Sequence, residues 1–314
     1  MVLNMIKIAV FLFLTGFGIV GNISVFVNCM FIFLVSSEKK SVHLILIHLA
    51  FTNILMLSCR GMQKTIEAFG LRNFQDDVGC KTVVYLQRVA RGLSICTTSL
   101  LTVVQAIAIS PRASRWRRLQ PRSAWNILPL LIFFWILNAV ISINLPFYIK
   151  YINIMNISET RKSENYCYFL PEIWIIRSIF LFLMVLRDAG FQGVMGWASG
   201  YMVFLLHKHH QHVFYLQTSK LLYRTPPEKK AAQSVLLLML CFLFFYWTDS
   251  FLSFYSTVSS GNNFITVTIQ DFLTVGHAIL SSFVLIHRDG HLCKSCSVRF
   301  EKIKYELNKF FYVF

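Results

Sequence analysis

Arg88 and Arg91 stand three residues apart within TVVYLQRVARGLSICTTSLLTVVQAIAIS, residues 82–110, a stretch that is otherwise apolar or carries only small polar groups. Positions i and i+3 share one face of a helix, so the two guanidinium groups can be presented to one partner. A guanidinium recognises carboxylates and other oxygen acceptors, often through two parallel bonds. Three carboxylates in comparably apolar surroundings could meet them: Asp188, Asp249 and Asp271. An arginine at the centre of a membrane helix costs about 2.5–3.5 kcal/mol even on the mildest scale. At least one of the three carboxylates is therefore expected to pair with Arg88 or Arg91, and the group to line a ligand cup. Arg60, Lys64, Glu67 and Arg177 lie nearer the segment ends and are expected to form structural ion pairs or to reach the headgroups.

Other reactive residue types point away from catalysis. His207, His209, His210 and His212 cluster without an adjacent carboxylate and read as a solvated basic turn, not a metal site. There is no GxSxG, HExxH or glycine-rich phosphate loop, and neither a cofactor nor a metal is expected. Cys293 and Cys296 form one CxxC near the C-terminus, a pattern better suited to palmitoylation or to plain thiols than to zinc. Asn156-Ile157-Ser158 is a glycosylation sequon; Asn22-Ile23-Ser24 is another, but within an apolar run that the transferase cannot reach.

These residues must be positioned by membrane helices. The 314 residues are 56% hydrophobic and only 14% charged, which excludes an ordinary soluble domain. Seven runs are long enough for a bilayer core about 30 Å thick: roughly 8–35, 43–66, 80–110, 124–148, 173–206, 232–257 and 264–286. One domain, 1–314, accounts for the chain, with 287–314 as a tail. Segments 36–42, 111–123, 207–230 and 287–314 hold 2, 5, 5 and 6 Lys/Arg, far more than the segments between them. Positive charge marks the cytoplasmic side, so the expectation is an all-α seven-helix bundle with its N-terminus outside and its C-terminus in the cytoplasm. The net charge of +16 then reflects this bias and attraction to lipid headgroups, not nucleic acid. Counting about 1.5 Å per residue from the cytoplasmic helix ends puts Arg88, Arg91, Asp188, Asp249 and Asp271 in the outer half. Asn22 and Asn53, near mid-membrane, are expected to be interhelical hydrogen-bonding groups. Of the eight cysteines only Cys80 and Cys167 fall on the outer side, so a disulfide between them is expected to tie the long outer loop to span 3.

Longer motifs carry a family likeness. GIVGN (18–22), HLAFTN (48–53), GCKTVVYLQRVARGLSICTTSLL (79–101), SPRASRW (110–116), RDAGFQGVMGWASGYMVFLLHKHHQHV (187–213) and RTPPEKKAAQSVLLL (224–238) resemble the vomeronasal type-1 receptors, a pheromone-receptor family of G-protein-coupled receptors. The resemblance implies a small chemosignal ligand and signalling through an inhibitory-type heterotrimeric G protein at the plasma membrane. Arg112, Arg115, Arg117 and Arg118 are then expected at the G-protein face, although positive-inside charge alone would also account for them. The chain departs from the pattern in three places. Val104-Gln105-Ala106 stands where rhodopsin-like receptors carry an acidic-Arg-aromatic triplet, Asn53 replaces the usual span-2 aspartate, and Ala278 and Ser282 occupy span-7 positions that usually hold proline. Helix 7 should accordingly lack its usual kink. A bitter-taste-type receptor, and a diverged member that serves as partner or trafficking aid for other receptors, are the alternatives, and a receptor oligomer is compatible with each.

Overall fold

The computed structural model describes residues 2–35, 41–69, 77–111, 121, 123–143, 146, 149–151, 167–169 and 174–216, scattered positions between 236 and 252, and 268–286 except 270 and 274. Helices α1 (Val2–Val35), α2 (Ser41–Phe69) and α3 (Asp77–Ile109) coincide with the first three expected spans and extend past their apolar runs. A short 3-10 turn, Ala124–Asn126, is capped by Ser123, whose side chain accepts from the Trp125 N–H. It leads into α4 (Leu128–Ser142), with proline in the first turn, where the missing N–H interrupts no helical bond. Helix α5 runs from Trp174 to Leu216, and Asp271–Ile286 is a further apolar helix. Four of the described helices are long and apolar enough to cross a membrane.

One expectation is corrected. The histidine cluster does not lie on a turn: α5 continues ten residues beyond 206 and carries His207, His209, His210 and His212 in helical conformation. Residues 201–216 contain neither Gly nor Pro, and Leu, Lys and Gln are good helix formers, so the helix outlasts the apolar run. The loop 149–172 holds an antiparallel pair: β1 (Ile149–Tyr151) against β2 (Cys167–Phe169), with Tyr151 opposite Cys167. β-branched and aromatic residues favour such pairing, and β1 packs against α3.

Helix α3 is the centre of the bundle. Its most apolar window is 78% buried, against 28% for the corresponding windows of α1 and α4. It packs against α2, α4 and α5. Its core face supplies Val89, Leu93, Cys96, Leu101 and Val104 to the main apolar cluster, with Ile45, Leu46 and Leu49 of α2 and Leu131 and Phe134 of α4. Buried hydroxyls on α3 are accommodated locally: Thr97, Thr98 and Thr102 donate to the carbonyls of Leu93, Ser94 and Thr98, at 2.7–2.8 Å. That satisfies each hydroxyl within its own helix. The outward faces are apolar instead, with Phe13, Val20, Phe182 and Phe204 each at least 60% exposed. In water such surface would drive aggregation; lipid suits it.

Candidate ligand site and its polar floor

The turn of α3 that carries Arg88 and Arg91 ends at Gly92, and this glycine decides what can approach. A Cβ there would overlap Asn138 Oδ1 of α4 and stand 2.5 Å from Arg187 Nη1 of α5. The missing side chain lets both groups reach α3. Arg187 Nη1 donates to Asn138 Oδ1 at 2.7 Å, and its Nε donates to Asp188 Oδ1 at 2.8 Å. The Asn138 amide is fixed from its other end, where Nδ2 donates to Phe134 O at 2.7 Å and to Cys96 Sγ at 3.6 Å. The Arg187 side chain is 3% exposed. A cation so buried requires the neighbouring carboxylate, because an unpaired charge in that position is among the costliest features a core can hold. Sequence reading found Asp188 but missed Arg187, Asn138 and Gly92.

Asp271 is claimed elsewhere. Its Oδ1 receives Arg60 Nη2 at 2.7 Å and its Oδ2 lies 2.6 Å from Lys64 Nζ. The expectation of structural ion pairs for Arg60 and Lys64 is met, and their partner is one of the three carboxylates assigned to the cup. Close by in sequence, Thr268 accepts from Lys7 Nζ of α1 at 2.5 Å. Asp271 and Asp188 therefore serve different partners: Asp271 joins span 7 to α2, and Asp188 pairs with Arg187 on its own helix. Arg88 and Arg91 are half-buried on α3, and the charge of Arg91 acts on the His277 ring of span 7.

One turn further along α3 the polar groups form a closed network. Asn53 of α2 is its hub, with Nδ2 donating to Asn22 Oδ1 at 3.2 Å and to Ser281 Oγ at 2.9 Å, and Oδ1 accepting from Ser94 Oγ at 2.9 Å. Asn22 Nδ2 continues to the carbonyls of Gly18 and Ala278, at 2.8 and 2.9 Å, and Ser94 Oγ lies 3.4 Å from His277 Nε2. All five side chains are buried. The network links α1, α2, α3 and span 7 through neutral groups, as expected for Asn22 and Asn53. A second chain crosses α2, α3 and α4: Trp135 Nε1 donates to His48 Nε2 at 2.9 Å, and His48 Nδ1 meets Thr97 Oγ1 at 2.9 Å. Indole N–H can only donate. The ring is therefore an acceptor at Nε2 and carries its proton at Nδ1.

Cys80, at the start of α3, is fully buried and disulfide-bonded. The backbone of Cys167 opens β2, whose partner strand β1 touches α3. Asp249, Asn156, Arg112, Arg115, Arg117, Arg118, Cys293 and Cys296 lie outside the described residues. Among the described residues no group of three or more His, Cys, Asp or Glu could hold a metal ion.

The sequence profile of the vomeronasal organ pheromone receptor family matches residues 5–298. Vomeronasal type-1 receptor 4 of Homo sapiens is 32% identical over 284 residues, covering 90% of this chain and 94% of the relative. Vomeronasal type-1 receptor 90 of Rattus norvegicus is 31% identical over 289 residues, covering 92% of each. Together with the apolar helices, this makes the protein a seven-helix, multi-pass membrane protein of receptor type. The chain belongs to the vomeronasal organ pheromone receptor family.

Proposed function

We propose that the chain is a non-enzymatic, G-protein-coupled chemosensory receptor that binds a small pheromone-like molecule among the helix halves nearest the β1–β2 hairpin. In this reading the N-terminus is outside, Arg88, Arg91, Asp188, Asp249 and Asp271 border the pocket, and Arg112, Arg115, Arg117 and Arg118 meet a heterotrimeric G protein. One observation supports it: on α2, α3 and span 7 the charged residues Arg60, Lys64, Arg88, Arg91 and Asp271 stand within about three helical turns in sequence of Asn53, Ser94 and Ser281, members of the network that crosses four helices. A ligand that changes the charged layer would change the packing of that network, and so bias one helix arrangement over another. The test is a small-molecule panel with a G-protein readout in cells whose surface delivery is verified. A graded response to at least one compound, reduced by Arg91→Leu, is expected. Silence across the panel at verified surface expression would end the reading in favour of a non-signalling partner. Ala278 and Ser282 in place of proline favour that alternative. Against it, Ser281 and Ser282 donate to the carbonyls three residues back, at 3.0 and 2.7 Å, and such back-bonding bends helices.

Two covalent features follow from the same topology. Cys80 and Cys167 are proposed to be bonded, holding the hairpin over α3, with a stabilisation of about 2–4 kcal/mol. Cys80→Ser and Cys167→Ser should each lower surface expression several-fold, and peptide mapping without reduction should recover the cross-linked pair. Asn156 should carry glycan, because its loop faces the lumen during synthesis, and Asn22 should not. The Asn156→Gln protein should migrate like the glycosidase-treated wild type; a residual shift on enzyme treatment would place the glycan or the loop elsewhere.

A further inference from the structure

We infer that Arg187 anchors the ligand of the proposed pocket, and that it takes a neutral oxygen acceptor, a carbonyl or hydroxyl, in preference to an anion or a hydrocarbon. This rests on the receptor reading above. A guanidinium has five N–H groups. At Arg187 one serves Asp188 Oδ1 through Nε and one serves Asn138 Oδ1 through Nη1. Nη2 approaches Asp188 Oδ1 at 2.6 Å, yet it is not aligned to donate there or to any other acceptor among the described residues, although it is buried. Donor capacity is left over in a side chain that water barely touches, and buried donors of this kind are normally met by a partner.

The surroundings define the partner. Asn138 cannot turn its amide to serve more donors, because its own Nδ2 is committed to Phe134 O and Cys96 Sγ. Gly92 brings the guanidinium against the turn of α3 that bears Arg88 and Arg91, so the spare donors sit at the level of the proposed pocket. Asp188 already neutralises Arg187. At Arg187 itself an incoming anion would lie beside that carboxylate and meet like-charge repulsion, and the pull of Arg88 and Arg91 would draw it toward α3 and away from the Arg187 donors, whereas a ketone or alcohol oxygen accepts the bond without adding charge. A hydrocarbon leaves the donors unmet, and sites built to hydrogen-bond an oxygen discriminate strongly against analogues lacking it.

The test uses the purified full-length chain in detergent with four probes of one chain length: 2-nonanone, 2-nonanol, nonanoate and nonane. Binding is read as the concentration-dependent rise in melting temperature. The ketone and the alcohol should act at concentrations roughly ten- to a hundredfold below nonane and nonanoate, the range expected for one charge-assisted hydrogen bond. Arg187→Lys keeps the charge beside Asp188 but replaces the planar fork by a compact ammonium, and should erase the preference for the oxygenated probes. Equal shifts by 2-nonanone and nonane, a larger shift by nonanoate, no shift by any probe, or a preference that survives Arg187→Lys would each overturn the assignment. If Arg187→Lys does not yield folded protein, the wild-type comparison of 2-nonanone with nonane decides alone. The assay needs no G protein: a protein that never signals can still show the preference, and a signalling receptor indifferent to the oxygen refutes only this inference.

Discussion

Asp271→Asn should cut surface expression sharply and lower the melting temperature of the purified protein by several degrees. The carboxylate is 6% exposed and stands between two cations, Arg60 and Lys64, whose side chains are 22% and 14% exposed. Removing one partner of a buried ion pair costs about 3–5 kcal/mol, because a charge remains without compensation; the partial exposure of Arg60 places the value toward the lower end. The carboxamide adds a second conflict, since either its NH2 group must face an ammonium or its single oxygen must serve both cations. Arg60→Gln alone should be much milder, because Lys64 still balances Asp271. Adding Lys64→Gln to Asp271→Asn should restore part of the loss, as two amides can donate to each other. Wild-type expression and melting temperature for Asp271→Asn would show that the cluster is solvated and contributes nothing.

The same cluster shows how far sequence could reach. Counting residues from helix ends put Arg60 and Lys64 at or above the level of Arg88, Arg91 and Asp271, and in the structure Arg60 and Lys64 pair with Asp271. Level says nothing about azimuth, however. Whether Asp271 faces α2 or α3 depends on how span 7 is rotated in the bundle, and an apolar run with lipid on one side fixes rotation only loosely. The four described helices long and apolar enough to cross a membrane were legible as apolar runs, because a bilayer demands about 20 apolar residues whatever the neighbours are. Asn22 and Asn53 were legible as interhelical groups for a similar reason: a carboxamide in that medium must find a partner. The continuation of α5 past 206 was hidden because polarity ended the apolar run while helix propensity continued. Arg187 was hidden more deeply. Its burial requires Gly92 from α3 and Asn138 from α4, positions 46 residues apart in sequence, and nothing local marks one glycine as a contact point when the chain has thirteen others.

Gly92→Ala is therefore expected to be the most damaging glycine-to-alanine change among the described residues. The added carbon would overlap Asn138 Oδ1 and press on the Arg187 guanidinium at 2.5–2.9 Å, so α3 must move or the Arg187–Asn138 bond must open. Overpacking costs about 1–3 kcal/mol, and losing a hydrogen bond to a charged group about 1.5–3 kcal/mol. Alanine's better helix propensity returns at most about 1 kcal/mol. The net loss of about 2–4 kcal/mol should appear as poor surface delivery and a melting temperature lowered by several degrees. Gly190→Ala and Gly193→Ala provide the comparison: nothing lies within 4 Å of a Cβ at either position, so the same methyl should be neutral or slightly stabilising there. Adding Asn138→Ala to Gly92→Ala removes the overlap with Oδ1 but leaves the close contacts to the Arg187 guanidinium and leaves Nη1 without its acceptor, so rescue should be partial. Full rescue would mean that the methyl's harm is purely steric, and no harm from Gly92→Ala would mean that α3, α4 and α5 do not meet closely at Arg187.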